Sequence, residues 1–284
     1  MLTSMSEDRP TAETGGVPPA GRGARPAASS PPGPLRRTRA GLLGWLAEAV
    51  DLVLPRHCPG CHAPAPWCDA CAATLAGRPR AVALPDLALD RLSMAGLPVP
   101  AVHALARYTG PVRAAILAGK ERGRRDLPPV LGEALGCGLA RLQDAAVLPD
   151  DLWLVPAPTR PSAARARGGD PVLVMARAAA RLLAGLGRPT GVAPCLSLAR
   201  GARDSVGLDA AGRAANLAGR IRFRPGGAPT PSAAPVLLDD VLTSGATVTG
   251  SLQSLATAGF QVAGVLVLAS VPPLRPLVLP VAAR

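Results

Sequence analysis

The sequence predicts an α/β fold, a parallel sheet flanked by helices, with a small cysteine-rich segment ahead of it. Three observations predict it. From Asp151 onward, short apolar runs alternate with stretches of helical period. Two of these runs, Val236–Leu238 and Val262–Leu268, lack the polar alternation of a strand with one wet face, so each needs cover on both sides. Four cysteines stand in two close pairs before the alternation begins.

The 284 residues divide into four stretches. Residues 1–40 are rich in Pro, Gly, Ala, Ser and Arg, with Leu2, Val17 and Leu35 the only large aliphatics. Such a stretch buries too little apolar surface to offset its ordering entropy, and a disordered tail is expected. Residues 41–79 are expected to hold an amphipathic helix, from the spacing of Leu42, Leu46, Val50 and Val53, and then the cysteines. Residues 80–150 are expected to form a helical connecting region or hood, and residues 151–284 the core. The apolar run Leu42–Leu54 carries Glu48 and Asp51 and is too short to cross a bilayer. It also lies far from the N-terminus for a signal peptide. No membrane insertion and a cytoplasmic location are expected.

Within the core, Asp151–Val155 reads as a buried strand entering a Pro-rich turn. Pro171–Leu186 has helical period, and Val192–Leu198 reads as a short strand. Val236–Leu238 is the next strand, Ala246–Ala258 a helix closed by Gly259, and Val262–Leu268 a further strand. Ligands of such sheets bind at the carboxyl ends of the strands.

The cysteines read Cys58-Pro-Gly-Cys61 and, six residues on, Cys68-Asp-Ala-Cys71. Two C-x-x-C turns at this spacing supply four thiolates to one tetrahedral zinc. His57 and His62 stand beside the first turn as substitute ligands. Two disulfides or four free thiols are the alternatives, and disulfides suit a cytoplasmic chain poorly. A structural zinc at Cys58, Cys61, Cys68 and Cys71 would supply folding free energy that so short a segment cannot draw from a core. Cys137 and Cys195 stand alone among apolar residues and read as buried small side chains.

The run Val236-Leu-Leu-Asp-Asp-Val-Leu-Thr-Ser-Gly-Ala-Thr247 drives a strand into two adjacent carboxylates and then a loop of small hydroxylated residues. Neighbouring carboxylates repel, so the pair needs work to do. Thr243, Ser244, Gly245, Ala246 and Thr247 make the turn into the next helix, where successive N–H groups and hydroxyls form a phosphate cradle. Asp239 and Asp240 suit the vicinal hydroxyls of a ribose and can face a magnesium ion. A sugar phosphate fits both halves, against the plain alternative of a solvated acidic turn.

The net charge is +12, which favours a polyanionic partner, although the codon bias of an Arg-, Ala-, Gly- and Pro-rich chain supplies part of it. The only lysine is Lys120, the only tyrosine Tyr108 and the only asparagine Asn216. Residues that persist against such a composition are candidates for chemistry. Lys120 to Arg125 and Arg160 to Arg167 are Gly- or Pro-interrupted, as loops are, and cations there can close over a pyrophosphate. With Phe223, Phe260, Tyr108 and three Trp, stacking platforms for single-stranded nucleic acid are few.

The loop resembles the 5-phosphoribosyl-1-pyrophosphate (PRPP) motif of type I phosphoribosyltransferases, with Thr243 where purine-salvage members carry a catalytic aspartate. Further upstream, Leu54-Pro-Arg-His-Cys-Pro-Gly-Cys61 resembles the N-terminal zinc knuckle of the ComF family, phosphoribosyltransferase-like proteins linked to DNA uptake. Tyr108-Thr-Gly-Pro-Val-Arg113, Lys120 and Gly123-Arg-Arg-Asp-Leu127 are similar to that family's connecting segment. Val155-Pro-Ala-Pro158 with Arg160 resembles its pyrophosphate-side loop, and Arg165-Ala-Arg-Gly168 its arginine motif. Leu198-Ala-Arg200, Val206-Gly-Leu208, Arg213 and Asn216 are similar to its flap. Gly169-Asp170 and Asp204-Ser205 depart from the family pattern, and Ser244 replaces a common Thr.

The resemblance implies a phosphoribosyltransferase-like core that binds PRPP or a related ribose phosphate with magnesium. Lys120, Arg160, Arg165 and Arg167 are then the pyrophosphate-side candidates. The alternative is a non-catalytic competence factor, in which knuckle and arginines bind single-stranded DNA or a partner protein and the phosphate loop is inherited.

Overall fold

Strands of Val, Leu and Ala that can show neither face to water belong in the middle of a sheet. The computed structural model, which describes residues 56–159, 169–199, 220–231 and 234–275, places them there. Seven strands run in the order β4 (Gly191–Val192), β3 (Leu152–Pro156), β7 (Ala234–Leu242), β8 (Gly264–Ser270), β2 (Val102–Arg107), β1 (Arg80–Val82) and β9 (Leu274–Arg275). The first five are parallel to their neighbours, whereas β1 is antiparallel to both β2 and β9. A separate antiparallel ribbon joins β5 (Leu196–Leu198) to β6 (Ile221–Phe223). The expected tail and first helix, Arg160, Arg165, Arg167, Arg213 and Asn216 lie outside the described residues.

Among the described residues there are six α-helices: α1 (Asp69–Ala72), α2 (Asp86–Met94), α3 (Gly110–Glu121), α4 (Leu127–Asp144), α5 (Pro171–Gly185) and α6 (Ala246–Thr257). Helix α5 carries the chain from β3 outward to β4, and α6 carries it from β7 the other way to β8. Right-handed crossovers in opposite directions put their helices on opposite faces. The order therefore reverses between β3 and β7, the kind of crevice where open α/β sheets take their ligands.

Helices α4 and α5 pack with almost nothing between them. A Cβ at Gly132 would lie 2.4 Å from the Met175 carbonyl oxygen, and one at Gly136 would lie 3.1 Å from the Ala179 backbone. Asp170 caps α5 by accepting from the Val172 and Leu173 N–H groups, at 3.0 and 3.3 Å. It also accepts from the Thr159 hydroxyl at 2.9 Å, which joins the two ends of segment 160–168.

Three details differ from the sequence expectation. Residues 80–150 hold helices α2, α3 and α4 but also give β1 and β2 to the main sheet. The run Val102–Arg107 contains good helix formers, and pairing with β8 overrides that local preference. The single strand expected over Val192–Leu198 is two, β4 and β5, broken at Ala193-Pro194, where proline has no N–H to give a ladder. Strand β7 runs through Asp239 and Asp240 to Leu242, further than the apolar run alone suggests. Among the described residues, no helix is long and apolar enough to cross a membrane.

Candidate functional site

The carboxyl ends of β3, β7, β8 and β2 meet at one edge of the sheet. Leu238 on β7 is level with Pro156 on β3 and Leu266 on β8, and Ser270 on β8 is level with Leu242 and Arg107. Two chain segments leave this edge, each held to the strand next to its own. The Ala157 N–H donates to the Leu238 carbonyl at 2.8 Å, so the turn leading to Arg160 starts against the strand that bears the acidic pair. The Tyr108 N–H donates to the Ser270 carbonyl at 2.9 Å, which fixes the entry to α3.

Both carboxylates of the pair are buried. Asp239 Oδ1 accepts the Asp240 N–H at 2.8 Å, which ties its side chain to the next peptide of the strand. Asp240 Oδ2 lies 2.6 Å from Lys120 Nζ, in the last turn of α3. Burial, reinforced by the neighbouring Asp240 charge, pushes Asp239 up to about 8, with Lys120 pulling the other way. Burial alone would lower Lys120, but Asp240, Asp239 and Tyr108 outweigh it and hold the ammonium above its ordinary value. Lys120, the only lysine in the chain, therefore meets the acidic pair, and Tyr108, the only tyrosine, lies near enough to act on that lysine.

Beyond Leu242 the chain turns through Thr243, which is exposed, and Ser244 into α6. Gly245 caps the helix at φ 73°, and a Cβ there would sit 2.9 Å from the Ala88 Cβ. Backbone hand and packing both require glycine. A glycine cap offers no side chain to the first-turn N–H groups of Ala246, Thr247 and Val248, leaving them to water or a ligand. The Thr249 N–H and hydroxyl donate to the Gly245 carbonyl at 2.8 and 2.9 Å and hold the turn closed.

The four knuckle sulfurs, of Cys58, Cys61, Cys68 and Cys71, lie within 4.8 Å of one another. A tetrahedral zinc with Zn–S bonds near 2.3 Å separates its sulfurs by about 3.8 Å, so the cluster has the size and donor chemistry to hold a metal ion such as zinc. Each pair sits on a closed turn. The His62 N–H donates to the Cys58 carbonyl at 2.8 Å, and the Ala72 N–H donates to the Cys68 carbonyl at 2.9 Å, opening α1. Burial opposes ionisation of Cys58, but N–H groups of Cys68, Gly60 and Cys61 hold its thiol down at about 6. Burial and the other three thiols push Cys71 up.

Arg124 ties this knuckle to α3. Its backbone N–H donates to the Ala118 carbonyl at 3.2 Å and closes the turn after the helix. Its guanidinium donates to the His57 carbonyl and to the Pro66 carbonyl, both at 2.9 Å. Asp126 grips the same guanidinium from Nε and Nη2, at 2.9 and 2.7 Å, and also pairs with Arg56 at 3.1 Å. Burial would raise Asp126, yet Arg124 and Arg56 hold it below the usual carboxylate range. The sequence places Arg124 in a basic run without revealing this latch. The available signal is the Asp two residues on, behind a helix-ending Gly123. Of the two isolated cysteines, Cys195 is buried and Cys137 half-buried.

No family model matches the chain, and no curated protein matches it either.

Proposed function

We propose that the chain binds PRPP, or a closely related 5-phosphorylated ribose, with magnesium, and that its core is a type I phosphoribosyltransferase-like fold. The observation that carries this reading is the passage from β7 to α6: a buried acidic pair, then a turn of small residues closed by a left-handed glycine, then a fresh helix N-terminus, all at the crevice where strand order reverses. The N–H groups and the Thr243, Ser244 and Thr247 hydroxyls receive the 5′-phosphate. Asp239 and Asp240 receive the 2′- and 3′-hydroxyls, with Lys120 holding the local charge near neutral. Arg160, Arg165 and Arg167, which follow β3 in the sequence and lie outside the described residues, are the candidates for the pyrophosphate side. The likeness of the knuckle, connecting and loop residues to the ComF family supports the same assignment, and with it zinc at the four cysteines and a link to DNA uptake.

In a catalytic form, an acceptor lone pair forms a bond to C1 of the ribose while the bond from C1 to the pyrophosphate oxygen breaks. The electron pair leaves with pyrophosphate. Magnesium supplies charge neutralisation on that leaving group. A buried carboxylate beside the ring favours the cation-like character that C1 gains on the way, because low-dielectric surroundings screen it little.

Calorimetric titration of zinc-loaded protein with PRPP and magnesium tests the reading. Micromolar binding is expected in the wild type and none in a folded Asp239→Asn, Asp240→Asn double variant. Binding retained by that variant would sink the ribose assignment.

A further inference from the structure

We propose that the cysteine knuckle clamps helix α3 at both ends and so sets Lys120 against the acidic pair, making occupation of the cysteine cluster by a metal ion a control on ribose-phosphate affinity. The proposal rests on the reading of the acidic pair given above.

At the start of α3, the first cysteine turn lies hard against the helix. A Cβ at Gly60 would come within 2.7 Å of the Pro111 Cβ and 2.8 Å of the Cys71 sulfur, so knuckle and helix leave no slack. At the far end, Arg124 is bonded through its backbone to Ala118 and through its guanidinium to His57 and Pro66. Those two carbonyls belong to different halves of the knuckle. His57 directly precedes Cys58, and Pro66 stands two residues before Cys68. A metal ion shared by both cysteine pairs fixes the separation of the halves, and that separation is what the Arg124 fork spans. A rigid planar fork tolerates little change in such a span.

Between the two anchors runs a helix of 12 residues, roughly 18 Å long, with Lys120 in its last turn. Lys120 is half-buried and makes its 2.6 Å contact with Asp240 from only a few residues before the latch. If the halves of the knuckle part, through metal loss or oxidation of the thiols, the latch opens and Lys120 leaves Asp240. The buried carboxylates then lose their cation, and the anionic ligand loses a counter-charge.

Because Lys120 is the only lysine, amine modification reads its position directly. Zinc-loaded wild-type chain, Arg124→Gln and Asp240→Asn are pulsed with an acetylating reagent, and the Lys120 peptide is quantified by mass spectrometry. Metal content and circular dichroism are checked in each. Asp240→Asn defines the released lysine. Arg124→Gln is expected to label close to that limit and to bind PRPP with magnesium about tenfold more weakly, the loss of roughly one charge-assisted hydrogen bond. Zinc-stripped wild type is expected to behave as Arg124→Gln does. Should Arg124→Gln fail to fold, Gly60→Ala forces knuckle and helix apart at the opposite anchor and is expected to give the same two changes. Lys120 labelling at the wild-type rate in a folded latch variant overturns the clamp. Faster labelling with unchanged PRPP affinity overturns the control on affinity. A wild type that binds no PRPP removes the functional reading instead, while the labelling arm still decides the clamp.

Discussion

Lys120 Nζ stands 2.6 Å from Asp240 Oδ2, an ion pair that joins the end of helix α3 to the carboxyl end of the central strand β7. Lys120 is half-buried, whereas Asp240 and its neighbour Asp239 are both buried. One ammonium and two carboxylates in so dry a place form a unit whose members set one another's charge.

Replacement of Lys120 by Met keeps the length of the stem but removes the charge. It is expected to weaken PRPP binding by about tenfold or more, since a charge-assisted contact is worth roughly 1.5–3 kcal/mol. Lys120→Arg is expected to recover only part of this, because a planar fork does not fit a point contact with one oxygen. Calorimetric titration of the two variants checks both outcomes.

Two buried groups tilt stability with pH in opposite senses. Burial and the Asp240 charge raise Asp239 from 3.8 to about 8, so the folded chain holds a proton that the unfolded chain releases. Its contribution is complete below the unfolded value and disappears as pH rises through the folded one. Asp239→Asn is therefore expected to flatten the decline of the melting temperature between pH 5 and 9. Burial lowers His103 from 6.5, so its contribution is present above 6.5 and lost as pH falls below it. His103→Leu is expected to shrink the acid-side loss. Thermal unfolding across that pH range, compared with wild type, reads both slopes.

Gly245→Ala meets two obstacles, a left-handed backbone and the Ala88 methyl group 2.9 Å away. A destabilisation of about 2–3 kcal/mol is expected from the summed conformational and overpacking costs. Urea unfolding measures it. Loss of PRPP binding should accompany it even under conditions where the variant is folded, because the first turn of α6 is displaced.

One zinc per chain is expected by atomic absorption. Its removal by a chelator should alter the near-ultraviolet circular dichroism of Trp67, which sits between the cysteine pairs and packs on the core. The far-ultraviolet signal of α4 and α5 should persist. Collapse of both signals together would mean that the sheet itself depends on the metal.

Much of the arrangement could be read from sequence because its strands are apolar on both faces. Strands β3, β7 and β8 and helices α5 and α6 declare themselves in this way. Strand β2 does not: Val102-His-Ala-Leu-Ala-Arg107 has neither a clear alternation nor an unbroken apolar run, and only its register with Val265–Ser270 makes it a strand. The acidic pair and small-residue turn were visible as a local pattern. The contact between Lys120 and Asp240 was not, since 119 residues separate them and no local rule links an ammonium on a helix to a carboxylate on a strand. Rarity was the only hint, and it singled out the lysine without its partner. Asp170 shows the reverse case, a residue that looks out of place in a motif and turns out to cap a helix.

The seam between α4 and α5 bears on how the molecule can move. Where Gly132 and Gly136 let one backbone rest on the other, there is no intervening layer of side chains to change rotamer and absorb a displacement. The two helices travel as one stiff plate, and β3, which lies between them in the chain, keeps its setting against that plate. Any larger movement of the fold therefore has to come from elements that do not cross the seam.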